Sequence, residues 1–353
     1  MIFSAVSQES LEEGAKILKN GGIVAFPTET VYGLGADAFN PQALARVFEV
    51  KGRPHFDPLI IHIAAIETLE KTADLSLLNE EKRKKLFLLA ENFWPGPLSI
   101  ILPKNEKIPG IATSGLQSAA IRFPDNETAL KLISLSTGAV AAPSANPFGA
   151  LSPTRAEHVR DTLGEKVDLI LDGGPSRIGV ESTVIDLSGD CIKILRPGGT
   201  PREAIEEKLG IRSEELGIRN EELGIRSEGV VVSPGVLKSH YAPRTPLFVL
   251  SRDEIVKKRC EVDDSADQKT AFLFFDGAAR DARCKAQMHH DEIIVKVLSE
   301  SGSMTEAASR FFEILHELDN CNASRIYAQA APPEGLGEAI NDRLRRGANS
   351  NKE

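Results

Sequence analysis

Aromatic side chains are scarce: one tryptophan and three tyrosines join fifteen phenylalanines, 5% of the 353 residues. Single-stranded RNA is held largely by stacking bases on such rings, and no aromatic-rich RNA-binding motif stands in the chain. Positive charge is not in excess either. Lys and Arg number 42 against 51 Asp and Glu, a formal net charge of −9, and the first 200 residues hold 20 basic and 24 acidic side chains. A polyanionic ligand must then be held by a local basic pocket, because the global field repels it. The four cysteines (Cys191, Cys260, Cys284, Cys321) lie far apart with no CxxC pair. That argues against a zinc knuckle and a disulfide framework and suits a reducing cytoplasm. No apolar run reaches the ~20 residues of a membrane span. The start, MIFSAVSQESLEEGAKIL, lacks the basic residues and apolar core of a secretion signal. No membrane partner is expected, and the cytoplasm is the expected location. Four motifs are also missing: GxxxxGK[ST], GxGxxG after the first strand, GxSxG and HExxH.

What remains is ordinary globular composition, 41% hydrophobic and 26% charged, which excludes a disordered chain. The length suits two domains of ~150 residues. In the first 200 residues helical and strand-like segments alternate. Ser10-x-x-Glu13 reads as a capping box opening an amphipathic helix that Gly21-Gly22 ends, before a buried strand at Ile23 to Phe26. Asn40-Pro41 starts a helix over Gln42 to Val50. Leu59 to Ala64 reads as a strand, and Glu80 to Trp94 as a helix. Leu98 to Leu102, Ala119 to Phe123, Val140 to Pro143 and Leu169 to Leu171 are short apolar runs between breakers, and Ser182 to Leu187 with Ile192 to Leu195 predicts a hairpin. The interleaving implies an α/β domain with a mixed sheet.

Residues 209–229 differ in kind: LGIRSEE, LGIRNEE and LGIRSEG are three near-identical heptads. Each carries a glycine, costing roughly 1 kcal/mol of helix propensity, so a duplicated solvated linker is favoured over a zipper. From Pro246 a second α/β pattern begins, with strands at Leu247 to Leu250, Thr270 to Phe275, Glu292 to Val297 and Arg325 to Ala328. Helices are expected at Thr305 to Leu318 and Gly337 to Arg346. The expected division is a catalytic domain over 1–208, a linker over 209–244 and a C-terminal domain over 245–353.

Chemistry concentrates where these strands end. Pro27-Thr28-Glu29-Thr30-Val31-Tyr32-Gly33-Leu34-Gly35 offers hydroxyls and exposed amides to a ligand, or is a glycine turn capped by its threonines. Lys51-Gly52-Arg53-Pro54 pairs a point charge with a guanidinium fork, which suits an oligophosphate; the alternative is two cations serving a helix C-terminus. His62 lies inside a strand, as core histidines do. Ser118 and Arg122 share a strand face, and a guanidinium between Ile121 and Phe123 needs an anion, whether a structural carboxylate or a ligand. Ala141 to Asn146 ends a strand in small residues, and Ser152 or Thr154 is placed to cap the next helix, whose amides favour anions. Ser182 and Arg196 add a hydroxyl and a cation. Hydroxyls and cations on several loops, with no evident nucleophile, fit catalysis by positioning and charge stabilisation around phosphates.

AFPTETVYGLGADAF, KGRP with DPLIIHI, AIRFPD, AAPSAN, ESTVIDL and ILRPG, in this order, closely resemble the YrdC-like threonylcarbamoyl-AMP synthases. SPGVLKSHYAP followed by a second α/β pattern resembles the long, two-domain form. The resemblance covers the chain except for the heptads. It implies a YrdC-like twisted mixed sheet with helices, plus a smaller Rossmann-like C-terminal α/β domain. It also implies a cytoplasmic enzyme, a monomer, that joins L-threonine, bicarbonate and ATP, with Mg2+, into threonylcarbamoyl-AMP and pyrophosphate. A downstream threonylcarbamoyl-transferase complex, with tRNA as a further partner, would use the product. Carried over by position, L-threonine would contact Thr30, His62, Arg122, Ala142 and Ser182. ATP would contact Arg53, Asp57, Ser118, Ser144, Ser152, Arg196 and Tyr241, with Lys51 and Arg53 as the catalytic cations and no protein metal site. Residues 230–243 would form a lid through Tyr241. Asp57 stands where many relatives carry asparagine. Arg53→Ala is expected to stop the reaction and leave the fold intact.

Two rival functions stand beside this one. A carbamoyl transferase of the hydrogenase-maturation type lacks its zinc-finger cysteines and acylphosphatase-like leader here. A non-catalytic RNA-binding module is disfavoured by the acidity, and threonine-dependent pyrophosphate release without RNA would separate it from an enzyme.

Overall fold

A computed structural model describes residues 2–211, 233, 235, 237, 240–261, 269–281 and 293–349. Two compact units emerge: Met1–Phe148, Ser152–Arg177 and Glu181–Leu237 form the first, and Gly149–Leu151, Ile178–Val180 and Lys238–Glu353 the second. The heptads beyond Ile211 and most of the expected lid lie outside the described residues.

The first unit is built on ten strands: β1 Ile2–Ala5, β2 Val24–Phe26, β3 Gly33–Asp37, β4 Ile60–Ile63, β5 Leu98–Pro103, β6 Ser118–Arg122, β7 Ala139–Ala141, β8 Leu169–Asp172, β9 Thr183–Asp186 and β10 Lys193–Arg196. Their order is β1-β8-β2-β3-β7-β4-β6-β5-β9-β10. The sheet is mixed as expected: β1–β8, β2–β8, β4–β6 and β5–β9 run parallel, the other pairs antiparallel. Its helices are α1 Gln8–Lys19, α2 Pro41–Lys51, α3 Leu69–Thr72, α4 Glu80–Phe93, α5 Glu127–Leu135, α6 Ala156–Leu163 and α7 Arg202–Leu209.

Strand side chains alternate between faces, so each strand feeds two cores. Ile61, Ile100, Ile121 and Ile185 belong to the large core that α2, α4 and α6 cover. On the opposite face, α1 and α5 pack over β2, β7 and β8. Farther along that same face, the small cluster Ile60, Ile101, Ala120, Val184 and Leu195 is buried together. The candidate site stands around this apolar floor.

Several local expectations change. Helix α1 is capped by Ser7, not Ser10: Ser10 N donates to Ser7 Oγ at 3.1 Å and Ser7 N to Ser10 Oγ at 2.8 Å, so a second serine plays the part of the capping-box acid. Gly33 and Gly35 belong to a strand, not only a loop, paired with β2, and position 35 is held to glycine there because a Cβ would meet Phe26 and Val140 side chains at 2.7 Å. Neither Ser152 nor Thr154 caps α6; its N-cap is Arg155, with no side-chain cap bond.

The second unit carries four parallel strands, β11 Leu247–Leu250, β12 Thr270–Asp276, β13 Ile293–Ser299 and β14 Arg325–Gln329, in the order β11-β14-β12-β13. Helices α8 Arg252–Glu261, α9 Gly277–Asp281, α10 Met304–Asp319 and α11 Leu336–Asn349 complete a small open-sheet domain. Cys260 is disulfide-bonded, which the wide cysteine spacing gave no reason to expect, while Cys191 and Cys321 are free.

Candidate active site

Register brings the first group together. His62 of β4 stands beside Arg122 of β6, and Ser99 of β5 stands opposite Arg122. Ser182, just before β9, shares a hydroxyl–hydroxyl hydrogen bond with Ser99 at 2.8 Å. Ala142 N donates to Ile60 O at 2.9 Å, which brings the end of β7 alongside β4. Thr30 arrives from the turn between β2 and β3. That turn is closed by one hydroxyl: Thr28 Oγ1 accepts from Thr30 N at 3.1 Å and Val31 N at 3.2 Å and donates to Val31 O at 2.6 Å. Arg122 Nη1 then donates to Thr30 Oγ1 at 2.9 Å, and Arg122 Nε to Gly96 O at 3.3 Å. All five residues expected to contact threonine therefore gather at neighbouring strand ends.

Arg122 also has an ionic partner that sequence reasoning did not assign a role. Glu29 Oε1 lies 2.7 Å from Arg122 Nη2, and the two side chains are only 1% and 4% exposed. The signal was present: an acid inside a stretch of otherwise apolar and hydroxyl residues, leading out of a buried strand, requires a buried cation. His62 is buried beside this guanidinium, its Nδ1 3.2 Å from Ile60 O and its ring edge-on to Phe26. Burial first, and repulsion from Arg122 second, push its pKa down to about 3. The imidazole is neutral at physiological pH.

The second group surrounds the end of α2. Gly52 takes the left-handed conformation (φ 61°) and turns the chain so that Arg53 folds back. Arg53 Nη2 lies 2.8 Å from Asp57 Oδ2, both side chains buried, and the guanidinium also donates to Asp57 O at 2.9 Å and Pro58 O at 2.8 Å. Lys51 Nζ donates to Ser144 O at 2.6 Å and to Asn146 O. Burial, reinforced by Arg53, holds the Lys51 ammonium well below the usual lysine value. Burial raises the Asp57 carboxyl, with Arg53, Lys51 and Arg196 opposing it, so these four groups share one electrostatic neighbourhood.

Arg196 reaches the site through an irregularity in β10. The register shifts between Ile194 and Arg196, leaving Arg196 opposite Val184, whose side chain belongs to the apolar floor. An extra residue in one strand re-aims the side chains that follow it. Arg196 Nη2 donates to Ser182 O at 2.9 Å and Ser182 Oγ at 3.2 Å. Behind it, Gly198 presses on the Ser182 backbone: a Cβ there would lie 2.3 Å from Ser182 C and 2.4 Å from Glu181 O. Ser118 stands at the other end of β6, two residues beyond Ala120 of the floor. Ser144 bridges to Gly33. Ser152 donates to Glu181, a second acid that sequence reasoning quoted without a role. Tyr241 belongs to the second unit, where it is buried with φ 62°, its ring 5.9 Å from Phe312 and 5.1 Å from the Arg343 guanidinium.

These contacts add to what Arg53→Ala is expected to do: it strips Asp57 of its ion-pair partner in a fully buried position, so a loss of stability is expected beside the loss of reaction.

Buried guanidinium forks, a neutral histidine and hydroxyls at strand ends, over an apolar floor, define an α/β protein with a site built for small anionic substrates. Residues 16–198 match the family described as "Telomere recombination", and residues 200–349 match "Threonylcarbamoyl-AMP synthase, C-terminal domain". The chain is 39% identical over 346 residues to the threonylcarbamoyl-AMP synthase of Pyrococcus abyssi, covering 96% of this chain and 95% of the relative. It is 37% identical over 349 residues to that of Bacillus subtilis, covering 98% and 94%. The crystal structure of P. abyssi Sua5 complexed with L-threonine superposes with a TM-score of 0.83 at 37% identity, over 99% of this chain and 96% of that one. The chain belongs to the threonylcarbamoyl-AMP synthase family, in its two-domain form.

Proposed function

We propose that the chain is a nucleotidyltransferase that forms L-threonylcarbamoyl-AMP and pyrophosphate from L-threonine, bicarbonate and ATP, for threonylcarbamoyladenosine modification of tRNA. The observation that supports it most is that Arg122 and the four other residues expected at the threonine position gather at neighbouring strand ends, in a chain whose relative was crystallised with L-threonine. In this reading the threonine amine attacks bicarbonate carbon, giving the carbamate and water. A carbamate oxygen then displaces pyrophosphate from the α-phosphorus of ATP. Two anions must approach one another, so the site's task is to supply cations and exclude water.

Lys51 and Arg53 would face the phosphates, with Ser118, Ser144, Ser152 and Arg196 completing the nucleotide side. Lys51 is held by two carbonyls in a buried place, which fixes its ammonium and heightens its attraction to an incoming phosphate. Tyr241 would close over the nucleotide. Mg2+ finds little to hold it: among the described residues no group of three His, Cys, Asp or Glu could hold a metal ion, and Asp57 is committed to Arg53. It would enter as the counter-ion of the ATP phosphates. No helix among the described residues is long and apolar enough to cross a membrane, and a monomer in the cytoplasm, handing its product to a threonylcarbamoyl-transferase complex, is the reading we adopt. The test is mass-spectrometric detection of threonylcarbamoyl-AMP after mixing the protein with ATP, L-threonine and bicarbonate. Pyrophosphate release that ignores threonine would overturn it.

A further inference from the structure

Glu29 is more deeply enclosed than a salt bridge partner needs to be, and less well satisfied. Its carboxylate can accept about four hydrogen bonds, yet among the described residues neither oxygen accepts one; its close partner is the Arg122 guanidinium at 2.7 Å. Buried polar atoms left in that condition call for an explanation. Orienting Arg122 does not provide one, because Gly96 O and Thr30 Oγ1 already fix that side chain through Nε and Nη1.

We infer that Glu29 recognises the α-ammonium of the amino-acid substrate and so makes the site selective for α-amino acids over the corresponding hydroxy acids. The inference rests on the proposed function and deepens it. An α-amino acid is a zwitterion whose two charges are separated by a single carbon. Arg122 and Glu29 form the complementary pair, cation beside anion, in a place nearly closed to water. With the substrate carboxylate on Arg122, the neighbouring ammonium needs an anion, since an unpaired cation taken out of water costs several kcal/mol. Among the other polar groups at hand, Arg122 is a cation, the adjacent His62 is a neutral ring, and the acid Glu181 already accepts from Ser152. Thr30, one residue along the same turn, already accepts from Arg122, which leaves the carboxylate of Glu29 as the group at hand. A ligand with a hydroxyl in place of the ammonium would leave Glu29 buried and unpaired by any second cation. Sites built to pair a substrate group reject analogues lacking it, because the site's own buried polar group is then left unpaired.

The experiment is calorimetric titration of the full chain with L-threonine and with 2,3-dihydroxybutanoate, which differs by hydroxyl for ammonium. The intact protein is expected to favour threonine by roughly 100-fold. Glu29→Gln, nearly isosteric but uncharged, is expected to weaken threonine by about 50-fold or more and to leave the dihydroxy acid within about threefold. Glu29→Asp, which keeps the charge on a shorter arm, should recover part of the preference, and a folded Asp variant keeps the test valid if the Gln variant does not fold. Equal weakening of both ligands would mean that Glu29 merely holds Arg122 in place, and unchanged threonine affinity would remove it from recognition; either result overturns the inference. Failure of the intact protein to bind threonine at all would instead overturn the functional reading on which it depends.

Discussion

Lowering the pH from 7 to 5 should destabilise the first unit through His62, by an amount set by simple linkage. The folded protein holds this imidazole neutral, with its pKa pushed down to about 3, whereas an unfolded chain titrates near the ordinary value of about 6.5. Between those two values the unfolded state binds a proton that the folded state refuses. Stability therefore rises with pH through this window and is lost as pH falls. Applying about 1.4 kcal/mol per pH unit below about 6.5, the loss from this residue is about 2 kcal/mol between pH 7 and 5. Over that interval the folded group never charges, so the unfolded state alone sets the slope. Asp57 acts in the opposite sense, since its folded carboxyl is raised above the ordinary value and favours the folded state as the pH falls. A difference between two variants removes that contribution. The assay is urea unfolding followed through Trp94, the single tryptophan, which is buried in the first unit with its indole N–H donating to Leu98 O at 2.7 Å. Relative to pH 7, the natural chain should lose about 2 kcal/mol more at pH 5 than His62→Asn, whose side chain does not titrate. Equal losses in the two proteins, or an NMR titration of folded His62 near pH 6, would refute the argument.

Arg53→Ala should lower stability by about 3–5 kcal/mol, because Asp57 is left buried without its cation, and adding Asp57→Asn should return part of that stability but none of the pyrophosphate release; thermal melts and a pyrophosphate assay separate the two effects. Gly198→Ala should force the Ser182 backbone to move, since the new methyl has only main-chain atoms of Glu181, Ser182 and Thr183 to meet, and calorimetry should register threonine affinity reduced by roughly tenfold or more with the second unit still folded. Arg122→Lys should raise the KM for threonine by about 50-fold with kcat within about threefold, as an ammonium cannot reach Gly96 O, Thr30 Oγ1 and a carboxylate together. Tyr241→Ala should lower ATP-dependent turnover, measured at saturating threonine, and unchanged kinetics would remove the lid from the mechanism.

Local signals determined a good deal here. Asn40-Pro41 opens α2 because an Asx cap and a proline at the first helical position need nothing from the rest of the chain, and Asn40 Oδ1 indeed accepts from Gln42 N and Ala43 N. Even spacing placed Ser118 and Arg122 on one face of β6, since alternation is a property of any strand. Residue types alone marked Lys51, Arg53, Arg122 and Arg196 as an anion-binding set. Other features belong to pairings between distant segments, which no local rule encodes. The order in which β4, β6 and β5 lie side by side puts His62 and Ser99 on either side of Arg122, and the burial that comes with it, followed by repulsion from Arg122, lowers the histidine pKa. The register shift in β10 aims Arg196, and a contact across 93 positions of sequence makes Glu29 the partner of Arg122. The cations could be read in the order of residues; which anion each one faces was decided only when the sheet closed its ranks, because a charge buried from water takes whatever partner the fold delivers.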